Sequence, residues 1–435
     1  MTNGSPPQDL GDIQGNVLRA YGSALPHTVY LMVRIDAPQA GRRLLQELLP
    51  KVTDARAWEG ARPRTALNIA VSRRGLEALG VSPDRVNALP PEFRDGMANR
   101  AERLHDIGRS APRRWEKGLL DIELVLALHA ADDRRLGFDL TLLKARIDAD
   151  QNLLLRHLQE TSVFTDGRDH FGYADGFGQP RVAVSGAVPP PHDPDAWEPD
   201  RPVAFGEFVH GHLDEDGQRE CPGSAPFDRN GSFMVLRKLA QDVTAFRRLV
   251  DDVARRHFNG DRELVAAKLA GRRPDGTPLV SGADGGPAGV NGFGFEADAA
   301  GHHCPLGAHI RRANPRNGLF GGYERTRRHR IIRRGSPYGL RGRGRRGEQG
   351  LVFVSFQANI ARQFEVVTSW LNDGSVFGLG RDADVLAGSN PELMTFEGDP
   401  PVVIPVAPLT WTRGGEYLLL PSLRALDAIA ERRCG

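Results

Sequence analysis

The sequence predicts an α+β fold built from two similar halves, each an antiparallel sheet with helices. Three observations support this prediction. A strand, helix, strand, strand, helix order occupies the first part of the chain, and strands alternate with helices again in the last part. A Pro- and Asp-rich stretch at Ala187–Pro202 separates the two parts. The chain of 435 residues is also long enough to bury two cores.

Three segments of the first half predict strands because they are rich in β-branched, aromatic and other apolar residues. Helices are indicated where leucines recur at helix-face spacing, and a glycine at position 80 ends one of them. The predicted strands are His27–Ile35, Thr65–Ser72 and Asp121–Ala130, and the predicted helices are Gly41–Val52, Arg74–Leu79 and a helix around Leu140–Leu158.

The second half repeats this pattern with fewer recognisable elements. Its predicted strands are Gly231–Lys238 and Leu351–Gln357, and its predicted helices are Asp242–Ala254 and Asn359–Leu371. We therefore expect an N-terminal half at 1–185, a connecting segment at 186–225 and a C-terminal half at 226–435.

The amino-acid composition limits the classes of protein to which this chain can belong. Forty per cent hydrophobic and 26% charged residues indicate a soluble globular protein, and no apolar run is long enough to predict a membrane span. The first residues lack the basic start and apolar stretch of a secretory signal, and three cysteines without paired spacing argue against a disulfide framework. We therefore expect a cytoplasmic protein.

The net charge of +2 conceals a strongly cationic segment. Residues 311–346 hold thirteen arginines and one acid, Glu324. Such a segment needs an anionic partner, which could be nucleic acid, phosphate or an anionic cofactor. Ile331 and Ile332 lie at its centre, where a solvated basic arm rarely has two isoleucines. This pair favours a segment that runs through the core with some arginines facing an internal anion.

The segment Gly301–Arg316 contains three histidines and a cysteine within nine residues. Zinc is one interpretation, but a structural zinc site normally needs a second, well-separated ligand pair. A loop of solvated histidines explains His302 and His303 equally well. His309 differs because apolar or small residues precede it and arginines follow it. A neutral imidazole in an apolar wall can bind haem iron while nearby arginines meet the propionates, so His309 is a candidate iron ligand.

The segment Asp169–Pro180 places Asp175 among glycines. Glycines on both sides of an acid indicate a tight backbone where bulk would obstruct something. One interpretation is a turn in which Asp175 bonds its own backbone. The other is a carboxylate directed into a pocket for proton transfer.

Five stretches of this chain resemble the signature stretches of dye-decolourising peroxidases, and they follow one another in that family's order. They are Asp12–Leu18, His170–Pro180, Cys304–Arg316, His329–Gly339 and Gly350–Gln357. The resemblance spans nearly the whole chain. It implies two ferredoxin-like α+β halves with antiparallel sheets, of the dimeric α+β barrel type. It also implies one haem b per chain, held mainly by the C-terminal half, while the N-terminal half carries the distal acid.

The resemblance also implies roles for individual residues. His309 matches the proximal iron ligand, Asp175 the distal acid and Arg333 the distal arginine. Arg316 matches the residue that pairs with a haem propionate, and His329 is a candidate second propionate partner. Asp175 would move a proton between the peroxide oxygens while Arg333 stabilises the charge that develops as they separate.

Other positions complete the comparison with that family. Leu351 and Phe353 match the apolar lining of the peroxide pocket. Gly335 stands where some relatives carry an asparagine that contributes to peroxide cleavage. Glu365 is our candidate for the carboxylate that accepts the second N–H of His309.

The implied activity is reduction of hydrogen peroxide through a ferryl intermediate, with oxidation of dyes, phenolic compounds or another small organic reductant. Two related alternatives are an oxidase with a dedicated biosynthetic substrate and a non-enzymatic haem-binding protein. Nucleic-acid binding is disfavoured because the cationic segment lacks interleaved aromatic residues and a helix-turn-helix signal. We expect no nucleic-acid or membrane partner, and the sequence leaves the oligomeric state open.

Overall fold

The computed structural model of the protein describes residues 8–184, 201–280, 291–319, 321–340, 347–380 and 382–434. The first part of the predicted connecting segment, 186–200, therefore lies outside the described residues. The division of the chain at 185 and 226 stays a prediction.

Nine of the described strands form one antiparallel sheet, and two more form a separate hairpin. The strands are β1 His27–Ile35, β2 Thr65–Val71, β3 Leu124–Ala130, β4 Leu153–Ser162, β5 Ser232–Gln241, β6 Ile332–Arg333, β7 Ser336–Tyr338, β8 Gly350–Gln357, β9 Leu393–Phe396, β10 Val402–Pro405 and β11 Thr410–Leu420.

Helices cover one face of the sheet and connect its strands. They are α1 Gly15–Leu18, α2 Pro38–Leu48, α3 Arg73–Ala78, α4 Pro83–Asn87, α5 Pro91–Asp95, α6 Asp133–Asp148, α7 Val243–His257, α8 Arg262–Ala270, α9 His309–Ala313, α10 Gly322–Arg327, α11 Val366–Asn372 and α12 Leu423–Ala430. A π-helical turn, Ile360–Glu365, leads into α11. Short 3-10 turns occur at Gly22–Ala24, Leu49–Lys51, Ala98–Arg100, Gly108–Ser110, Pro112–Arg114, Lys117–Leu119, Phe205–Glu207, Glu296–Asp298 and Ser375–Phe377.

The strand order repeats itself in the two halves. The first half has the order β4-β1-β3-β2, and the second has β11-β5-β8-β6, with β7 also paired to β8. In both halves the fourth strand borders the first, and the third lies between the first and the second. With the crossover helices α2 and α6 in one half and α7 and α11 in the other, this is the ferredoxin-like order. The predicted α+β fold of two ferredoxin-like halves is confirmed.

The two halves join edge to edge. Leu419 of β11 pairs with Val71 of β2, and β4 at one end of the sheet packs against β7 near the other end. The sheet therefore curves on itself like a barrel. Its inner face holds buried apolar side chains from both halves, among them Tyr30, Met234 and Phe356. Its outer face packs against the helices.

One sequence prediction was wrong over part of its length. The helix expected around Leu140–Leu158 ends at Asp148, and β4 begins at Leu153 and pairs with β1. The Asp150 carboxylate accepts the backbone N–H of Asn152 at 3.1 Å, which holds a turn where the helix stops. The leucines that indicated a longer helix alternate in exposure along β4 instead. No described helix is long and apolar enough to cross a membrane.

Candidate functional site

A tight loop between β4 and the second half presents Asp175. The Asp169 carboxylate accepts the backbone N–H groups of Gly172 and Tyr173, both at 2.8 Å. Gly172 has a φ of 99° and Gly176 a φ of 100°, a backbone conformation that glycine adopts without strain. Asp175 itself accepts the N–H of Gly176 at 2.6 Å. Asp175 therefore bonds its own backbone, as the turn interpretation expects, and it also lines a cavity. Its role in proton transfer stays a prediction.

Strand β6 brings Arg333 to Asp175. Ile332 is buried in the inner core, and because side chains alternate along a strand, Arg333 points the other way. Its Nη2 lies 3.3 Å from Oδ1 of Asp175. The Arg333 guanidinium lowers the pKa of Asp175 below its ordinary value, against the opposing effect of burial. Asp175 keeps 57% of its side-chain surface and Arg333 31%, and this surface faces a cavity that both residues line.

His309 begins helix α9 and is held by Asp384. Its Nδ1 lies 3.1 Å from Oδ2 of Asp384, whose side chain is fully buried. The other oxygen of Asp384 accepts the backbone N–H groups of Leu386 and Ala387, which fixes the carboxylate. A carboxylate only accepts hydrogen bonds, so Nδ1 of His309 donates and Nε2 stays available to a metal ion.

The electrostatic environment of His309 links it to the distal pair. Burial disfavours its charged form, but the Asp384 carboxylate outweighs burial and the pKa of His309 is raised overall. The charges of Arg333 and Asp175 also act on the His309 pKa, in opposite directions. His309, Asp175 and Arg333, which are far apart in the sequence, therefore lie close enough in the structure for their charges to interact.

The expected partnership of Glu365 with His309 was wrong. The buried Glu365 carboxylate accepts hydrogen bonds from Arg100 at 2.5 and 2.7 Å and from Arg103 at 2.6 Å. It also accepts one from the Tyr417 hydroxyl at 3.1 Å. Two arginines of the first half therefore satisfy Glu365, and the sequence alone did not identify Asp384 as the carboxylate that holds His309.

A cavity of about 160 Å³, here called the arginine cavity, is lined by five arginines and, among the described residues, by no carboxylate. Arg316 donates to the backbone oxygens of Asn291 and Phe293 at 2.8 and 3.0 Å, and its guanidinium lies 3.9 Å from the Phe293 ring centre. Burial, together with other guanidinium groups, lowers the pKa of Arg330 to about 9. Such crowding of like charges suits an anionic ligand. The five are Arg181, Arg201, Arg316, Arg327 and Arg330.

His329 lies beside this cavity without lining it. Its Nδ1 is 2.5 Å from the carbonyl oxygen of Arg362, and its ring packs edge-on against Trp370. The next residue, Arg330, lines the arginine cavity instead. Sequence reasoning did not single out Arg330, because eight other arginines stand between positions 325 and 346 outside the residues assigned to the site.

A second cavity, of about 270 Å³, lies at one end of the curved sheet and is here called the barrel cavity. Asp175, Arg333, Gly335 and Leu351 line it, so the structure brings these predicted residues together. A Cβ at Gly335 would lie 2.9 Å from the carbonyl oxygen of Val352, so an asparagine there would require the backbone to shift.

Phe353 does not join these residues. It lines neither cavity and packs against Phe364 and the outer core. Gln179, by contrast, lines both cavities, and its Oε1 accepts the backbone N–H of Arg333 at 2.9 Å. The arginine cavity and the barrel cavity therefore meet at Gln179. Among the described residues, no group of three or more His, Cys, Asp or Glu side chains could hold a metal ion by itself.

Comparison with known proteins agrees with this geometry. Residues 220–376 match the sequence profile of the C-terminal part of Dyp-type peroxidases. The chain is 29% identical to a dye-decolorizing peroxidase of Mycena epipterygia, over 97% of this chain and 87% of that one. It is 28% identical to a multifunctional dye peroxidase of an Amycolatopsis species, over 97% and 96% of the two chains. The crystal structure of an Anabaena DyP-type peroxidase superposes with a TM-score of 0.81 at 25% identity, over 97% of this chain and 94% of that one.

Proposed function

Because this chain belongs to the dye-decolourising peroxidase family, we propose that His309 binds haem iron and that Asp175 and Arg333 act on the peroxide. The chain is a haem peroxidase that acts on hydrogen peroxide and dyes. The residue roles rest on the geometry of this chain's own side chains.

The residues present fit a haem. His309 offers Nε2 as a ligand because Asp384 accepts its Nδ1 hydrogen. The arginine cavity gathers five guanidinium groups on a wall whose described residues include no carboxylate, which suits two propionates, and Arg316 and Arg330 are the residues we assign to them. We propose haem b, with one per chain, as the form that this arrangement holds.

Bound haem would supply the redox chemistry, and the side chains around it would handle protons and charge. Asp175 takes a proton from one oxygen of the peroxide and returns it to the other, which leaves as water. The lowered pKa of Asp175 keeps its carboxylate ionised and ready to accept that proton. Arg333 stabilises the negative charge that develops as the two oxygens separate, because a guanidinium stays charged throughout. Leu351 supplies apolar wall beside them.

The observation that carries this proposal is the His309–Asp384 hydrogen bond at a site shared with the Asp175–Arg333 pair. The test is the absorption spectrum of the purified protein, together with dye bleaching by hydrogen peroxide. We expect a Soret band and bleaching in the parent, and loss of most haem or of bleaching in His309→Ala. An unchanged Soret band in His309→Ala would show that the ligand lies elsewhere.

The electrons come from an organic reductant, and we propose phenolic compounds as well as dyes. We also propose a reducing compartment, the cytoplasm, as the location. It is supported by the free thiols of Cys221, Cys304 and Cys434, none of which forms a disulfide.

A further inference from the structure

Helix α6, Asp133–Asp148, has an outer face that the described part of the chain leaves exposed. The helix packs against β1, β3 and β4. Its buried residues are Leu136, Leu143 and Ile147. On the opposite side Phe138 is 58% exposed and Leu142 is 55% exposed. Residues four apart on a helix are neighbours, so these two side chains form one apolar patch. Single exposed apolar residues are ordinary, but a pair on one helix face favours contact with another molecule.

Two charged residues lie at the ends of this outer face. Because a helix has about 3.6 residues per turn, spacings of three and four keep residues on one side. The exposed residues on this side are, in order, Arg134, Phe138, Thr141, Ala145 and Asp148. Neither Arg134 nor Asp148 forms an ion pair with a described residue, although Arg135 and Arg146 of the same helix do. The charges at both ends of the face are therefore available to a partner.

Both of these charges are unfavourably placed with respect to their own helix. The N-terminal end of a helix carries partial positive charge, and the C-terminal end carries partial negative charge. Arg134 is the second residue of α6 and Asp148 is the last, so each lies beside a charge of its own sign. Beside an antiparallel copy of α6, each would lie next to the helix end of opposite sign. The two charges therefore suit an antiparallel helix partner better than they suit the isolated chain.

The outer face of α6 also complements itself in the antiparallel direction. With Thr141 of one chain opposite Thr141 of another, Arg134 lies opposite Asp148. In the same register Phe138 lies opposite Ala145, so a large ring meets a small side chain. A two-fold axis makes each of these contacts twice. Shape and charge on this face therefore match those of a second copy.

We propose that a second copy of this chain docks on α6, so that the two helices pair in antiparallel orientation about Thr141. A helix of 16 residues is about 24 Å long. One pair of such faces buries less than the roughly 1,600 Å² of a standard stable interface. The dimer is therefore weak and depends on protein concentration. This inference is independent of the roles proposed for His309, Asp175 and Arg333.

The test is sedimentation velocity of the full, haem-loaded protein over a range of concentrations, which measures the dissociation constant of the dimer. We expect the parent to change from monomer to dimer as its concentration rises. Phe138→Asp should stay monomeric, because its carboxylate would be buried against Ala145 of the second chain. Val403→Asp is the matched control. Val403 is 51% exposed but lies on β10, so this variant should dimerise like the parent.

Charge reversal tests the antiparallel register. Arg134→Asp and Asp148→Arg should each raise the dissociation constant roughly tenfold, because each places like charges opposite one another twice. The double variant restores opposite charges and should dimerise more tightly than either single variant. Arg248→Asp is the matched control, because Arg248 is an exposed arginine of α7 with no ion pair to a described residue. It should not change the dissociation constant.

Thermal unfolding separates loss of the dimer from loss of the fold. Each reversal improves the match between the charge and the dipole of its own helix, so the Tm of the monomer should equal or exceed that of the parent. The proposal is overturned if the parent stays monomeric at every concentration, which would leave this face to a different kind of partner. It is also overturned if the α6 variants dimerise like the parent, if either control weakens the dimer as much as they do, or if the double variant is no tighter than the single ones.

Discussion

Asp384 accepts a hydrogen bond from His309 across 75 residues of chain, with 3.1 Å between Oδ2 and Nδ1. A negative partner makes the imidazole a stronger donor to the iron and stabilises the ferric form. In Asp384→Asn the partner is neutral, so we expect a higher ferric/ferrous midpoint potential, measured by spectroelectrochemical titration. Glu365→Gln is the control, because Glu365 is engaged by Arg100 and Arg103 and should not affect the potential. If only Glu365→Gln changed the midpoint potential, Glu365 and not Asp384 would be the partner of His309.

Asp175 and Arg333 should both contribute to the reaction with peroxide. We expect Asp175→Asn to slow this step by about a hundredfold or more, in line with general acid–base catalysis. Arg333→Leu should slow it at least as much, because charge stabilisation is needed whatever route the proton takes. Stopped-flow mixing with peroxide measures the rates, with haem content checked first. If both variants react at the parent rate, the distal assignment fails.

The pH dependence should reveal the coupling between these two residues. Peroxide reaction requires ionised Asp175, so the rate falls as pH drops through the pKa of that carboxyl. Arg333 lowers this pKa. Arg333→Leu should therefore move the acid limb of the pH–rate profile to higher pH. The rate is measured across the acid range in both proteins. Arg328→Leu, which removes a surface arginine paired with Asp216, should leave the limb in place.

Arg330 rather than His329 should matter for haem retention. Arg330 lines the arginine cavity, whereas His329 contacts the Arg362 carbonyl and Trp370. We expect Arg330→Met to release haem to apomyoglobin roughly tenfold faster or more, since a charged hydrogen bond is lost. His329→Phe keeps the contact with Trp370 and should release haem at the parent rate. The opposite ranking would support the sequence-based assignment of His329.

Stability should fall with rising pH because of Glu416. Burial raises its pKa from 4.5 to about 7, although the backbone N–H groups of Met97 and Tyr417 hold the carboxyl. The folded state keeps a proton that the unfolded state releases above about 4.5, so this stabilisation is lost as pH rises through about 7. Glu416→Gln should make the loss of Tm between pH 5 and 8 smaller by roughly 1–3 °C. Glu77→Gln, at an exposed surface pair, should leave the profile unchanged.

The sequence predicted those elements whose local composition matches their structure. Strands β1, β2, β5 and β8 are rich in β-branched, aromatic and other apolar residues, and their predicted bounds agree closely with the structure. Strand β4 was taken for helix because leucine favours helices, and its pairing with β1 overrides that local preference. Strand β11 was not predicted, although it forms ten pairs with β5.

The same distinction between local sequence and tertiary structure applies to the residues of the site. His309, Asp175 and Arg333 were found because each lies in a distinctive stretch of sequence. Asp384 was missed because only tertiary structure brings it to His309. Arg330 was missed because many arginines lie in the same segment of the sequence, and only the direction of the side chain distinguishes them.

The joint between β2 and β11 has a consequence for biosynthesis. Val71 pairs with Leu419, so the edge of β2 gains its neighbour only after most of the chain has been made. Chains leave the ribosome from the N-terminus, and an uncovered strand edge is a template for aggregation. The first half must therefore remain with an open edge during translation, and it is at this stage that a chaperone would be most useful to it.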